Sequence, residues 1–192
     1  MEIVLEDVKC IKNNNLIFEN LDLKFQNNSI TALVGPSGAG KSSLLEIIST
    51  FKEPDDGKIM IGDIIISPNT KKRELQKIAK SVAILFQSSY DQVYNLTVKK
   101  ELLFSLSDLK LGKKETQNRL TEVLELVELD ETYLEKNTFE LSQSELRKVA
   151  IASVIIRMPD LLLLDEPTSG LDIANKKVLI NLLKKLKREK NM

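Results

Sequence analysis

Apolar residues fall at two different spacings in this chain, and the spacing changes with position. Toward the N-terminus they form short runs rich in β-branched residues: Ile3–Val8, Leu16–Phe25 and Ile30–Val34. The last is apolar almost throughout, the pattern of a strand buried on both faces of a parallel sheet. Lys41 to Phe51 follows as a predicted helix carrying Leu44, Leu45, Ile47 and Ile48. Pro54-Asp55-Asp56-Gly57 then signals a turn, and Lys58–Ile66 beyond it predicts a hairpin. Val82–Phe86 and Leu161–Leu164 are two further candidates for buried strands. From Tyr94 to Met158 the spacing turns helical, as in Leu120, Val123, Leu124 and Val127. The tail from Asp172 to Lys190 predicts another amphipathic helix, ending in the run KKLKREK, which reads as a solvated basic face. These elements predict an α/β fold: a core made of 1–93 and 159–192, and a helical insertion over 94–158 between two strands of one sheet.

Composition excludes several classes. At 192 residues and 42% hydrophobic content the chain suits one domain carrying an insertion. Lys+Arg and Asp+Glu both total 28, so no field of one sign recruits nucleic acid or anionic lipid over the whole surface. No nucleic-acid partner is expected. The single cysteine, Cys10, excludes an internal disulfide and suits a reducing compartment. The start, MEIVLEDVK, has no basic segment followed by an apolar stretch, and no secretory signal is read there. Apolar runs such as Leu161–Leu164 fall far short of the ~20 residues that span a bilayer. The expectation is a cytoplasmic chain whose membrane role comes through a partner.

One contiguous motif carries most of the chemistry. Gly35-Pro36-Ser37-Gly38-Ala39-Gly40-Lys41-Ser42 matches the phosphate-loop pattern G-x-x-x-x-G-K-[ST] at every position. It follows a strand candidate and opens a helix candidate, the context such a loop requires. Glycines let backbone N–H groups turn inward on an anion, and the helix start adds partial positive charge at the same place. ATP is the expected ligand of residues 35–41 with Ser42 and Ser43. Lys41 is expected on the β- and γ-phosphates and the Ser42 hydroxyl on Mg²⁺. The second element is Leu161–Leu164 followed by Asp165 and Glu166. Side chains alternate along a strand, so these carboxylates are expected to face different ways. Asp165 is assigned to the Mg²⁺ shell, and Glu166 to orienting the attacking water and taking its proton.

Together these residues resemble a named family. Asp165-Glu166-Pro167-Thr168-Ser169-Gly170-Leu171-Asp172 looks like the Walker B and D-loop segment, D-E-P-T-x-x-L-D, of the ATP-binding cassette (ABC) ATPases, with Asp172 as the D-loop residue. Val82–Gln87 resembles their Q-loop strand. The resemblance implies that Gln87 contacts metal and water and senses a transmembrane subunit. Leu141-Ser142-Gln143-Ser144-Glu145 stands where the family's signature, L-S-G-G-Q, belongs, at the start of a predicted helix over 145–157. That implies contact with ATP held by a second ABC ATPase. The resemblance covers essentially the whole chain. It implies a P-loop NTPase core with a mainly parallel sheet, an N-terminal antiparallel β subdomain and the helical subdomain at 94–158. The run from Gln87 to Val98 is similar to the Q-loop of energy-coupling factor transporters, with Gln92 after the acidic Asp91 and the Thr97-Val98 pair beyond. This implies an ATPase of a vitamin or metal-ion importer, working as a homo- or heterodimer on a transmembrane subunit at the inner face of the cell membrane.

The chain departs from the family at three places. Ser144 replaces the second signature glycine, adding a side chain where backbone is to approach a phosphate closely. Ser142-x-x-Glu145 is also a capping box for the helix that follows. Lys9-Cys10-Ile11-Lys12 holds no aromatic where the family stacks adenine, which leaves Ile11 or the Lys12 stem for the base and predicts a weaker grip. The family's switch histidine lies on one further strand, but this sequence has no histidine and ends at Met192. That C-terminal strand, interior to the family's sheet, is expected to be missing, as in a truncated chain. Two other readings stay open. A non-transport ABC ATPase of translation or DNA repair is opposed by the lack of a second cassette or a long coiled coil. A regulatory subunit that binds ATP without turnover is favoured by Ser144 and the missing histidine, and opposed by intact Lys41, Ser42, Asp165 and Glu166.

Overall fold

In the computed structural model, which describes residues 1–88 and 92–190, the alternating N-terminal runs become an antiparallel sheet. Strand β1 (Ile3–Lys12) pairs with β2 (Asn15–Phe25) on one side and β3 (Asp56–Ile61) on the other. β4 (Ile64–Ile66) closes a hairpin with β3, giving the order β2-β1-β3-β4. Alternation in β1 slips phase once: Ile3 and Leu5 are buried, then Val8 and Cys10. An irregularity between Leu5 and Val8 absorbs the extra residue, with Asp7 at φ 52. The buried face packs with Leu44, Leu45, Ile47 and Ile48 of α1 (Lys41–Ile48), the apolar side of the predicted helix. Burying each such side chain contributes about 1.5–3 kcal/mol of transfer free energy.

Helix α2 (Lys72–Ser81) has no counterpart in the sequence reading; its single buried apolar residue, Ile78, is too sparse a signal for periodicity. It leads into β5 (Val82–Leu85), which lies parallel to β6 (Leu161–Leu164) in a two-stranded sheet. The Asp160 amide donates to the Ser81 carbonyl at 2.8 Å, aligning the starts of the two strands. Ile30–Val34 corrects the sequence reading, because it forms no strand. An apolar run becomes a strand only where a neighbour supplies ladder partners, and none of the described strands pairs with it. Ile30 and Val34 are accordingly 54% and 93% exposed.

The described residues divide into two units. The first comprises Met1–Ile84 and Asp160–Asp165; the second comprises Leu85–Pro159 and Glu166–Lys190. The second is helical: α3 (Val98–Ser105), α4 (Lys113–Leu126), α5 (Gln143–Ile155) and α6 (Ile173–Lys190), with 3₁₀ turns at Glu131–Glu135 and Thr138–Glu140. Leu120, Val123, Leu124 and Val127 are buried, as their spacing predicts. α5 is buried nearly all round and packs against both α3 and α4, so it forms the centre of this unit. Among the described residues no helix is long and apolar enough to cross a membrane.

Candidate functional site

The phosphate loop is built by its glycines. Gly38 and Gly40 take φ 82 and 87, with Ala39 between them, so the backbone reverses sense twice before α1 begins. Residues 35–39 are exposed and Gly40 serves as the N-cap of α1 with no side chain capping it, which leaves the first-turn N–H groups for an anion. A Cβ on Gly40 would stand 2.8 Å from Ile17 Cγ2 and 3.2 Å from Phe18 Cδ1, so β2 forms a floor that admits only glycine here. Lys41 Nζ donates to the carbonyls of Gly35 (2.9 Å) and Pro36 (2.7 Å), holding the ammonium over the loop. The Ser42 side chain is exposed, whereas Ser43 is buried. Asp165 follows β6 in the same unit. At the position expected to meet the base, Cys10 is fully buried and the Lys12 ammonium is held by both carboxylate oxygens of Glu46 on α1, at 2.8 and 2.9 Å.

The second unit brings together two residues 79 positions apart. Gln87 Nε2 donates to Glu166 Oε2 at 3.0 Å. Glu166 itself sits at φ 43, in the left-handed region that a non-glycine residue rarely occupies. β6 ends at Leu164, so strand alternation does not extend to Asp165 and Glu166, and Glu166 takes its direction from a left-handed turn instead of a pleat. Upstream, Gln92 Oε1 accepts from the Phe86 amide at 3.1 Å, joining two flanks of this loop; Asp91, the acidic residue before Gln92, lies with residues 89 and 90 outside the described residues. Glu101, 3% exposed on α3, accepts from the Tyr94 and Asn95 amides and from Asn95 Nδ2 at 2.9–3.0 Å, which anchors the far end of that loop.

The segment Leu141–Glu145 is the start of α5, two residues earlier than the 145–157 prediction. Ser142 is its N-cap, and the capping box with Glu145 is formed. Glu145 accepts from Ser142 Oγ (2.6 Å), the Tyr133 hydroxyl (2.5 Å) and the Ser142 amide (2.8 Å), with Lys136 Nζ at 3.8 Å. These bonds, led by that from the Ser142 hydroxyl, lower its carboxyl to a pKa of about 2. Ser144 Oγ stands 3.4 Å from Ser142 Oγ, and the Gln143 amide packs against Gly170. Asp172 caps α6, accepting from the Asn175 amide at 2.7 Å and from Asn175 Nδ2 at 3.1 Å. The sequence reading missed Arg147, which is 2% exposed on α5 and donates to carbonyls beside both Gln87 and Glu166. The available signal was an arginine, beside Lys148, at the head of the mainly apolar stretch Val149 to Ile156.

A family model for the ABC transporter domain matches residues 18–169. The chain belongs to the ABC transporter family. Within it the similarity is to ATP-binding proteins of energy-coupling factor transporters. It is 36% identical over 197 aligned residues to EcfA2 of Enterococcus faecalis, covering 100% of this chain and 68% of the relative. It is 38% identical over 153 residues to EcfA2 of Lactococcus lactis subsp. cremoris, covering 80% of this chain and 53% of the relative. Among solved structures, cbiO1 of Clostridium perfringens, part of the ABC transporter complex cbiONQ, superposes with TM-score 0.86 at 25% identity, over 98% of this chain and 74% of that one. The cassette MJ0796, solved as a dimer in a post-hydrolysis state with ADP and Pi, gives TM-score 0.86 at 27% identity, over 98% and 84%.

Proposed function

We propose that this cassette is the ATP-hydrolysing subunit of an energy-coupling factor importer for a vitamin or metal ion. The observation that carries the reading is the 3.0 Å bond from Gln87 to Glu166, because it brings the residues of two separate motifs onto one carboxylate. ATP binds the loop from Gly35 to Lys41 and the start of α1, with Lys41 exchanging its carbonyl partners for the β- and γ-phosphates. Ser42 and Asp165 fit Mg²⁺, which takes hydroxyl and carboxylate oxygens together with substrate phosphates. Bound with ATP, that ion offsets the charge on the phosphate oxygens. Glu166 accepts a proton from water as the water oxygen bonds the γ-phosphorus and the bond to the β-phosphate oxygen breaks, releasing ADP. Gln87 holds the Glu166 carboxylate and reports the state of a transmembrane subunit, through which the cassette sits at the inner face of the membrane. Residues 94–158 form the helical subdomain of this assembly.

The partners follow from the relatives: a membrane component, as in the cbiONQ complex, and a second ATPase, as in the MJ0796 dimer. The signature of this chain is unlike L-S-G-G-Q in carrying an ionised Glu145 at the start of α5. A partner's γ-phosphate facing it meets negative charge, so turnover belongs chiefly to this chain's own Glu166. ATPase rates of the heterodimer decide the matter. Glu166→Gln abolishes most hydrolysis and leaves ATP bound, while the matching change in the partner costs far less. Equal losses remove the asymmetry, and no loss from Glu166→Gln removes the catalytic assignment.

A further inference from the structure

Two functional side chains meet in the second unit, but neither lies on a rigid element. Gln87 follows the end of β5, and Glu166 follows the end of β6. The group that joins their backbones is Arg147, on the central helix of the unit. Its Nη1 donates to the carbonyls of Phe86 (2.9 Å) and Gln87 (3.0 Å). Its Nη2 donates to the Glu166 carbonyl at 3.0 Å, and its Nε to the Pro167 carbonyl at 3.3 Å. One planar fork therefore spans both loops, which an ammonium cannot do, because its donors radiate from a point.

The carbonyl that accepts from Nη2 belongs to a residue in strained backbone, Glu166 at φ 43. Such a conformation persists only where the surroundings over-determine it. Here the determinants are the guanidinium on its carbonyl and the Gln87 amide on its carboxylate. At 2% exposure, the Arg147 side chain has no room to leave without opening the unit's core. The same helix begins at Ser142 in the signature segment, so whatever contacts that segment bears on the helix that holds Gln87 and Glu166.

We propose that Arg147 is a positioning residue for hydrolysis, which fixes the left-handed turn at Glu166 and the Gln87 carbonyl in mutual register. This rests on the reading of Glu166 as the group that activates water. The role predicts a split between turnover and nucleotide binding, because Arg147 bonds the backbone of the Gln87 and Glu166 loops, while the phosphate loop belongs to the other unit.

The test is steady-state ATPase kinetics and thermal melting of the cassette assembled with its partner ATPase and membrane subunit, comparing wild type, Arg147→Lys, Arg147→Gln and Glu166→Gln. Arg147→Lys keeps the charge but loses the fork. Misplacing reacting groups by about 1 Å costs on the order of 10²-fold, so its kcat is expected to fall by about that factor with KM for ATP within about twofold. In a Glu166→Gln background Arg147→Lys is expected to slow the residual rate no further. Unchanged kcat in Arg147→Lys overturns the proposal, as does a rise in KM that matches the loss of kcat. If neither Arg147 variant yields a cooperatively melting protein, the residue serves folding and the proposal fails. Full activity in Glu166→Gln sinks the parent reading instead, and a dead Glu166→Gln beside a fully active Arg147→Lys sinks this inference alone.

Discussion

Replacing Gly40 by alanine tests whether the phosphate loop is held open by backbone geometry and by the floor beneath it. Gly40 takes φ 87, and the left-handed region costs an L-residue roughly 1–2 kcal/mol relative to glycine. The new Cβ also lands 2.8 Å from Ile17 Cγ2 and 3.2 Å from Phe18 Cδ1. Both side chains are part-buried against the core of the first unit, so neither swings freely aside, and overpacking of this kind adds about 1–3 kcal/mol. Gly38 supplies the control. Its φ is 82, but a Cβ there meets nothing within 4 Å, so Gly38→Ala carries the conformational cost alone. Urea denaturation followed by circular dichroism is expected to place Gly40→Ala about 1–3 kcal/mol below Gly38→Ala. In a double-mutant cycle Ile17→Ala should recover about 1 kcal/mol of the Gly40→Ala loss beyond additivity, because it removes the atom that is struck. Equal destabilisation by the two glycine variants, or strict additivity with Ile17→Ala, would show that β2 does not shape the loop.

Lys41→Ala deletes a charge-assisted contact to two phosphates, each contact contributing about 1.5–3 kcal/mol, so ATP affinity should fall by about 10²-fold or more in calorimetry. Affinity equal to wild type would mean that ATP binds elsewhere. Glu145 makes stability pH-dependent in a stated window. Its folded pKa of about 2 lies below the ordinary glutamate value of 4.5, so its contribution is complete above pH 4.5 and is lost as pH falls toward 2. Glu145→Gln should flatten the acid limb of the unfolding curve between those values, and an unchanged limb would contradict the assignment. Tyr133→Phe removes one donor to that carboxylate and is expected to shift the same limb upward by a smaller amount, read in the same titration.

The parts of this protein that were legible along the chain are those whose determinants are contiguous. The phosphate loop is set by eight adjacent residues, because glycine conformation, a helix start and one lysine suffice to make an anion cradle. The start of α5 is likewise local: a hydroxyl and a carboxylate three residues apart satisfy the free N–H groups of one turn. Helix α4 announces itself by spacing, since a 3.6-residue period leaves the same face for the core at each turn. What only the tertiary structure decided depends on partners that spacing does not name. Ile30–Val34 has the composition of a buried strand and is none, because a strand is completed by its neighbours' ladder groups and not by its own side chains. Glu166 carries the carboxylate expected of it, yet its aim comes from a left-handed turn held by a guanidinium 19 residues upstream and an amide 79 residues away. Burial turns Arg147 from one more basic residue into the shared anchor of both loops: inside the unit its donors must be satisfied, and the carbonyls that satisfy them belong to residues the fold alone brings within reach.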